Sequence, residues 1–186
     1  MSAPETHLHD DAAHPARLGM WVFLASEVLF FAVLFTLYAG ARVHHPAAFH
    51  TAIHEHADKL LGSINTAVLL ASSTLVAVAV HAAREERRAR AILLALASAL
   101  LGAVFLALKG TEYLAHAREG LVPGSAPFWS LYYTMTGLHS LHVLAGVVAL
   151  VLASRSERAH VLENVGLYWH FVDVVWIFLW PLFYLA

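Results

Sequence analysis

The amino-acid sequence predicts an all-α, integral-membrane bundle of five transmembrane helices, with the N-terminus inside and the C-terminus outside. Of its 186 residues, 60% are hydrophobic and 13% are charged, and the mean hydropathy is +0.66. Soluble domains carry roughly 45–50% apolar and about 25% charged residues. Five apolar runs are each long enough to cross ~30 Å of hydrocarbon, which takes about 20 residues. Charged residues and helix breakers collect between these runs, so short connections are expected.

The composition disfavours several functional classes. The formal net charge is −2 and only 11 residues are Lys or Arg, which argues against a nucleic-acid partner. The chain has no cysteine, so disulfides, cysteine zinc sites and iron–sulfur clusters are excluded. Residues 1–15 are acidic and His-rich, unlike the basic start of a secretory signal peptide.

The first apolar run covers about residues 18–41 and follows a polar, His-rich tail at residues 1–16. Imidazoles titrate near neutral pH, so this tail either collects protons or is only a solvated extension. Its ionisable side chains include His7, His9, Asp10, Asp11 and His14. Further histidines lie in the first connection and allow the same two interpretations: His44, His45, His50, His54 and His56.

The other four runs complete a transmembrane domain that spans residues 17–186. They cover about residues 60–83, 91–115, 128–153 and 161–185. A bilayer accepts only helices or closed barrels, and these Leu- and Ala-rich runs lack the alternation of barrel strands. Pro46 lies in the first connection, and arginines and glutamates fill the second, at residues 84–90. The third connection contains the helix breakers Gly120, Pro123, Gly124 and Pro127.

Basic residues set the predicted orientation. With the N-terminus inside, seven Lys and Arg residues lie inside and three outside, while Lys109 falls within the third run. Basic residues accumulate on the cytoplasmic side, so this orientation is preferred. An aromatic belt would then lie toward the outer interface, formed by Trp129, Tyr132, Tyr133, Trp180 and Tyr184.

Glu27 is the first of several ionisable residues at membrane depth. It lies about ten residues into the first helix, about 15 Å from the inner edge at 1.5 Å per residue. Burial in hydrocarbon favours the neutral acid. Such a carboxyl can pass protons or react with a hydrophobic carbodiimide, or it can simply hydrogen-bond to a neighbouring helix.

Histidines and carboxylates recur on the last two helices. His139 and His142 are three residues apart on the fourth, and His170 and Asp173 are three apart on the fifth. Glu163 precedes His170 by seven residues. Residues three apart share a helix face, so a metal site, a haem site or a metal-free polar network are all compatible with the spacing. On these helices the order is His-x-x-His and, once, His-x-x-Asp, whereas di-iron bundles use Glu-x-x-His on paired helices.

Other polar residues are candidates for contacts between helices or with lipid. Asn65, Ser72, Lys109 and Glu112 lie within apolar runs, where side-chain hydrogen bonds join helices. Lys109 and Glu112 are three residues apart, so pairing would neutralise both. Arg155 and Arg158 follow the fourth helix and either bind anionic lipid head groups or serve only as orientation signals.

Five stretches, touching all five helices in order, carry a family resemblance. They are Ser26–Phe31 (SEVLFF), Asn65–Ser72 (NTAVLLAS), Glu112-Tyr113, Thr136–Val143 (TGLHSLHV) with Gly146, and Glu163 followed by Tyr168–Trp176 (YWHFVDVVW). In these motifs the chain resembles subunit III of haem–copper oxidases, in particular cytochrome c oxidase subunit III in a short, five-helix form.

The resemblance implies a non-catalytic subunit of a respiratory cytochrome c oxidase in the bacterial inner membrane. It implies no cofactor in this chain, haem and copper in partner subunits, and bound phospholipid. Subunit I is the implied main contact, with subunits II and IV as further partners and cytochrome c reached through the complex. The implied role is to stabilise subunit I, bind lipid and support proton uptake during reduction of O₂ to water.

The resemblance also assigns residues. Glu27 matches the family's carbodiimide-reactive glutamate. The buried polar positions of the family are matched by His139, His142, Glu163, His170 and Asp173.

Some features depart from the pattern. Longer family members have seven helices, and this chain resembles the last five. Ser140 replaces the usual Gly between the paired histidines, and Lys109 stands where Gln is frequent.

Subunit III of a quinol oxidase and an accessory subunit of a nitric oxide reductase are the alternatives, although the Ser26-Glu27 motif favours the cytochrome c type. An autonomous metal-binding membrane enzyme is the remaining alternative.

Overall fold

The computed structural model describes residues 8–56, 58–156 and 158–185, excepting the side chains of residues 8–14 and 56. The predicted proton-collecting side chains of the N-terminal tail lie outside this described part. They are His7, His9, Asp10, Asp11 and His14.

All regular structure in the described ranges is helical, which confirms the all-α prediction. The elements are α1 (Leu8–His44), α2 (Pro46–Thr51), a π-helix (Ala52–His56), α3 (Lys59–Arg84), α4 (Arg88–Arg118), α5 (Pro127–Arg155) and α6 (Ala159–Tyr184). Five of them, α1 and α3 to α6, are long and apolar enough to cross a membrane. The shortest has 26 residues, about 39 Å at 1.5 Å per residue, so each exceeds the hydrocarbon thickness.

Helix boundaries follow from local chemistry. Proline occupies the first helical position of α2 and α5, at Pro46 and Pro127, where its missing N–H costs nothing. Asp58 caps α3 by accepting a hydrogen bond from the Leu61 N–H at 2.9 Å. Gly120 and Gly124 adopt φ values of +77° and +92° in the α4–α5 turn, a region that glycine enters without strain.

The first connection is more regular than the sequence predicts. It contains α2 and the π-helix, and its apolar side chains face the bundle. Phe49, Ala52 and Ile53 are buried at a spacing of three to four residues, so one face of the segment is anchored.

Helices α3 to α6 form the packed core, and α1 lies against α5 and α6 at its edge. Only 11% of the apolar window of α1 is buried, against 44% for α6. Large apolar side chains such as Leu29, Val33 and Leu37 are exposed on α1. Such a surface suits lipid or protein contact rather than water.

Trp169, on α6, fills the space between its own helix and both α4 and α5. Gly102 on α4 and Gly146 on α5 both face its ring, and a Cβ added at either would lie 2.6 Å from a ring carbon. The indole N–H donates to the Ser72 hydroxyl on α3 at 3.1 Å. Small residues allow helices to approach closely in membranes, and here they make room for one indole.

Candidate functional site

Glu27 and His142 meet between α1 and α5. The Nε2 of His142 lies 3.0 Å from Oε2 of Glu27, and both side chains are 19% exposed. The Nδ1 of His142 lies 2.8 Å from the Leu138 carbonyl. A carbonyl oxygen only accepts, so Nδ1 carries a hydrogen. Nε2 is thus the ring nitrogen that faces the Glu27 carboxyl group.

Neighbouring groups fix this imidazole. The ring of Phe31 packs edge-on against that of His142 with centroids 5.4 Å apart. The Tyr168 hydroxyl donates to the His142 carbonyl at 3.0 Å. The partner of Glu27 is 115 positions away in sequence, which is why helical spacing within α1 gives no indication of it.

His170 faces a different helix. Its Nδ1 lies 2.6 Å from the Ser73 hydroxyl on α3. A groove of about 240 Å³ runs from the ends of α3 and α6 to this imidazole and is lined by Arg17, Arg84, Glu163 and Asn164, among others. Glu163 accepts a hydrogen bond from Arg84 Nε at 2.7 Å, so this ion pair stands at the open end of the groove.

Asn65 and His139 are buried and have no side-chain hydrogen bond within the described part of the chain. Asp173 is buried as well, and its carboxyl group lies beside Ser73. His139 instead stacks on Trp176, with ring centroids 5.2 Å apart, and meets the edge of Phe105. Leaving a buried polar group unpaired costs about 1–3 kcal/mol. Packing alone therefore does not explain why polar residues occupy these buried positions.

The paired histidines and the His-x-x-Asp motif do not converge on one point. His142 faces α1, His170 faces α3, and His139 lies in the core. In the described ranges, no group of three or more His, Asp or Glu side chains is arranged to hold a metal ion. Each of these side chains therefore has its own surroundings, and together they do not form one site.

Lys109 and Glu112 form a second buried cluster toward the other end of the bundle. Lys109 Nζ donates to Glu112 at 3.0 Å and to the hydroxyls of Tyr132 and Tyr184 at 2.8 and 2.9 Å. Both tyrosines donate to Glu112 Oε1 at 2.6 Å. The cluster joins α4, α5 and α6, and every charged atom has a partner.

The sequence predicts Tyr132 and Tyr184 only as members of an aromatic belt. Both hydroxyls point instead into the bundle, where they complete the Lys109 and Glu112 pair. The sequence contains no local signal for this, because the tyrosines lie 20 and 72 positions from Glu112. Ser72 bridges similarly to Ser98 on α4, with hydroxyl oxygens 2.7 Å apart.

Arg158 lies at a cleft of about 450 Å³ between the α3–α4 and α5–α6 turns. Arg84, Glu86 and Arg88 also line it, above an apolar floor that includes Leu162. Arg155 is exposed at the end of α5 and is not part of the lining.

The fold and these contacts define a class: a multi-pass membrane protein whose buried acids, imidazoles and hydroxyls join its helices. A sequence profile of the family described as Cytochrome c oxidase subunit III matches residues 6–186. The chain belongs to this family, the subunit III family of the multi-subunit haem–copper oxidases.

Relatives agree over nearly the whole length. The chain is 32% identical to Cytochrome bo(3) ubiquinol oxidase subunit 3 of Pseudomonas aeruginosa, over 96% of this chain and 88% of the relative. It is 31% identical to a Probable quinol oxidase subunit 3 of Staphylococcus epidermidis, over 91% of this chain and 88% of the relative. A protein of the same name from Staphylococcus aureus is 31% identical over 97% of this chain and 95% of the relative. These names match the quinol oxidase alternative rather than the cytochrome c oxidase itself.

Proposed function

We propose that this chain is the non-catalytic subunit III of a bacterial respiratory haem–copper oxidase. It packs on subunit I through its exposed helix faces, with subunit II and subunit IV as further neighbours. Haem and copper belong to the partner subunits in this proposal. The chain contributes a proton-holding pair within the membrane, retains phospholipid and stabilises the catalytic subunit while O₂ is reduced to water.

The Glu27–His142 pair is the observation that carries the proton role. His142 Nε2 and Glu27 Oε2 lie 3.0 Å apart, and in this proposal they hold one proton between them. Each side chain is 19% exposed, so the pair lies at the surface of the bundle and not in its sealed core. A single-proton store at that position suits delivery to an adjacent subunit.

A second polar feature supports the same role from the end of the bundle. The groove past Arg84 and Glu163 ends at His170, which bonds to Ser73. Asp173 lies one turn further along α6 and is buried. In this proposal the groove admits water and protons toward the middle of α6.

Substitution of Glu27 tests the proton role in the intact oxidase. Glu27→Gln retains a hydrogen bond to His142 but removes the acid, so we expect slower proton uptake and earlier loss of activity during sustained turnover. Ser26→Ala is the matched control, because within the described part of the chain the Ser26 hydroxyl bonds only to its own helix, at the Phe23 carbonyl. Unchanged proton uptake and an unchanged number of turnovers in Glu27→Gln would refute the role.

Lipid retention rests on the cleft of Arg84, Arg88 and Arg158. Guanidinium groups bind phosphate through paired donors, and the apolar floor suits the start of an acyl chain. Arg155 is exposed three residues before Arg158 and is the second candidate for binding a lipid head group. Native mass spectrometry of Arg158→Gln should show fewer retained anionic phospholipids, whereas Arg42→Gln, at the far end of α1, should not. Equal lipid retention in both variants would remove Arg158 from the proposal.

Quinol is the electron donor that we propose for the complex. The names of the relatives favour it, while the Ser26-Glu27 motif and the family description keep cytochrome c as the second candidate. Oxygen consumption by the purified complex with each donor separates the two. Turnover with a reduced quinol alone supports the first, and turnover with reduced cytochrome c alone supports the second.

A further inference from the structure

Two histidines stand side by side on the connection between α1 and α3. His50 and His54 are exposed, and their ring centroids are 4.2 Å apart with an interplanar angle of 41°. Both line an open cavity of about 510 Å³, together with Arg42, Val43 and Pro46. Neither imidazole makes a hydrogen bond or ion pair with another described residue.

The backbone that carries these rings is held firmly. His50 lies in α2 and His54 in the π-helix that continues it. On the opposite face, Phe49 and Ile53 are each 1% exposed, and the Phe49 ring packs against Tyr38 and Phe128. The two imidazoles are therefore presented from a fixed segment and not from a loose loop.

We propose that His50 and His54 form a binding site for a divalent transition-metal ion, with water completing the coordination. Neutral imidazole is the commonest metal ligand in proteins, and Cu²⁺, Ni²⁺ and Zn²⁺ are the ions it suits. Two rings at this separation can each direct one nitrogen to a common ion. The inference uses only this segment and does not depend on the oxidase role.

The charges around the rings set the character of the site. Arg42 lines the same cavity and weakens binding of any cation, while the Glu55 carboxylate follows His54 directly in sequence. With two protein ligands the site is open and exchangeable, unlike a closed four-ligand zinc site. For nitrogen ligands the expected order is Cu²⁺ tighter than Ni²⁺ and Zn²⁺, and acid weakens binding because protons compete for the imidazole nitrogens.

The test is equilibrium binding of Cu²⁺, Ni²⁺ and Zn²⁺ to the full chain in detergent. The background carries His7→Ala, His9→Ala and His14→Ala, so that the N-terminal tail does not contribute. We expect one equivalent of Cu²⁺ to be lost in the His50→Ala/His54→Ala variant. Each single variant should weaken binding at least about tenfold, which corresponds to about 1.4 kcal/mol.

His81→Ala/His160→Ala is the control, since it removes two histidines from the opposite end of the bundle. Electron paramagnetic resonance of bound Cu²⁺ supplies an independent readout, with nitrogen hyperfine structure from two imidazoles expected. Equal copper stoichiometry and affinity in the His50→Ala/His54→Ala variant and its control would overturn the proposal. A copper spectrum that lacks nitrogen coupling would do so as well.

Discussion

Trp169 shows how single residues govern the packing of this bundle. Its ring fills the contact between Gly102 and Gly146, and its N–H is bonded to Ser72. Neither glycine has a positive φ. Both positions therefore require a residue without a side chain, and they do not require the backbone freedom of glycine. The resemblance motif around Trp169 is therefore also a packing motif.

Adding one methyl group at this contact should destabilise the protein. Gly102→Ala and Gly146→Ala each place a Cβ against the rigid Trp169 ring, and overpacking of this kind costs typically 1–3 kcal/mol. Gly110→Ala is the matched control on α4, because nothing lies within 4 Å of its added Cβ. Thermal unfolding in detergent should show a lower Tm for the first two variants and an equal or higher Tm for the control.

Lys109 is the second residue whose surroundings set its role. It is 2% exposed and donates to Glu112 and two tyrosines. Removing one member of a buried ion pair costs about 3–5 kcal/mol because the other charge is left uncompensated.

Paired substitution distinguishes this cost from simple loss of packing. Lys109→Met alone should lower the Tm strongly, and Lys109→Met/Glu112→Gln should recover much of the loss because no charge remains buried. A double variant that is no more stable than the single would contradict the account. Thermal unfolding at fixed detergent concentration is the measurement.

Among the elements, the five long helices are predictable and the short ones are not. Continuous apolar runs exceed the hydrocarbon thickness whatever the tertiary structure, so hydropathy identifies α1 and α3 to α6. The segment of α2 and the π-helix is only 11 residues long, and its helical form depends on docking of Phe49 and Ile53. Pro46 interrupts the apolar pattern, as predicted, and also begins a new helix.

The start of α3 provides a prediction at the element scale. Asp58 accepts from the Leu61 N–H at 2.9 Å, and replacing such a cap by Ala costs about 0.5–2 kcal/mol. Asp58→Ala should therefore lower stability, whereas Asp58→Asn retains an acceptor and should stay close to the parent. Ser63→Ala is the control, because among the described residues the Ser63 hydroxyl bonds only to the Lys59 carbonyl of its own helix. An equal Tm for Asp58→Ala and Ser63→Ala would show that the cap contributes nothing.

For the whole molecule, the sequence predicts the architecture but not which polar side chains meet. Spacing places His139 and His142 on one helix face, yet His142 turns to Glu27 while His139 stacks on Trp176. Such pairings depend on how the helices rotate and dock, which local periodicity does not specify. Five helices and a family resemblance were accessible from the sequence, whereas the Glu27–His142 pair required coordinates.

Orientation is a prediction for the whole molecule that rests on the distribution of basic residues. The chain lacks cysteine, so single cysteines report sidedness without background labelling. Cysteine at Glu86, in the α3–α4 turn, should be protected from a membrane-impermeant maleimide in intact cells, and cysteine at Ser125, in the α4–α5 turn, should react. The reverse pattern would contradict an N-terminus inside.

The most direct test of the central claim is gentle isolation of the complex that contains this chain. Mild-detergent purification through a tag on the chain, followed by mass spectrometry and an optical spectrum, identifies its partners and cofactors. We predict stoichiometric co-purification with a large catalytic subunit that carries the haem and copper, and no haem absorbance from the chain once it is separated. A chain that purifies alone, or that retains its own Soret band after separation, would contradict the assignment.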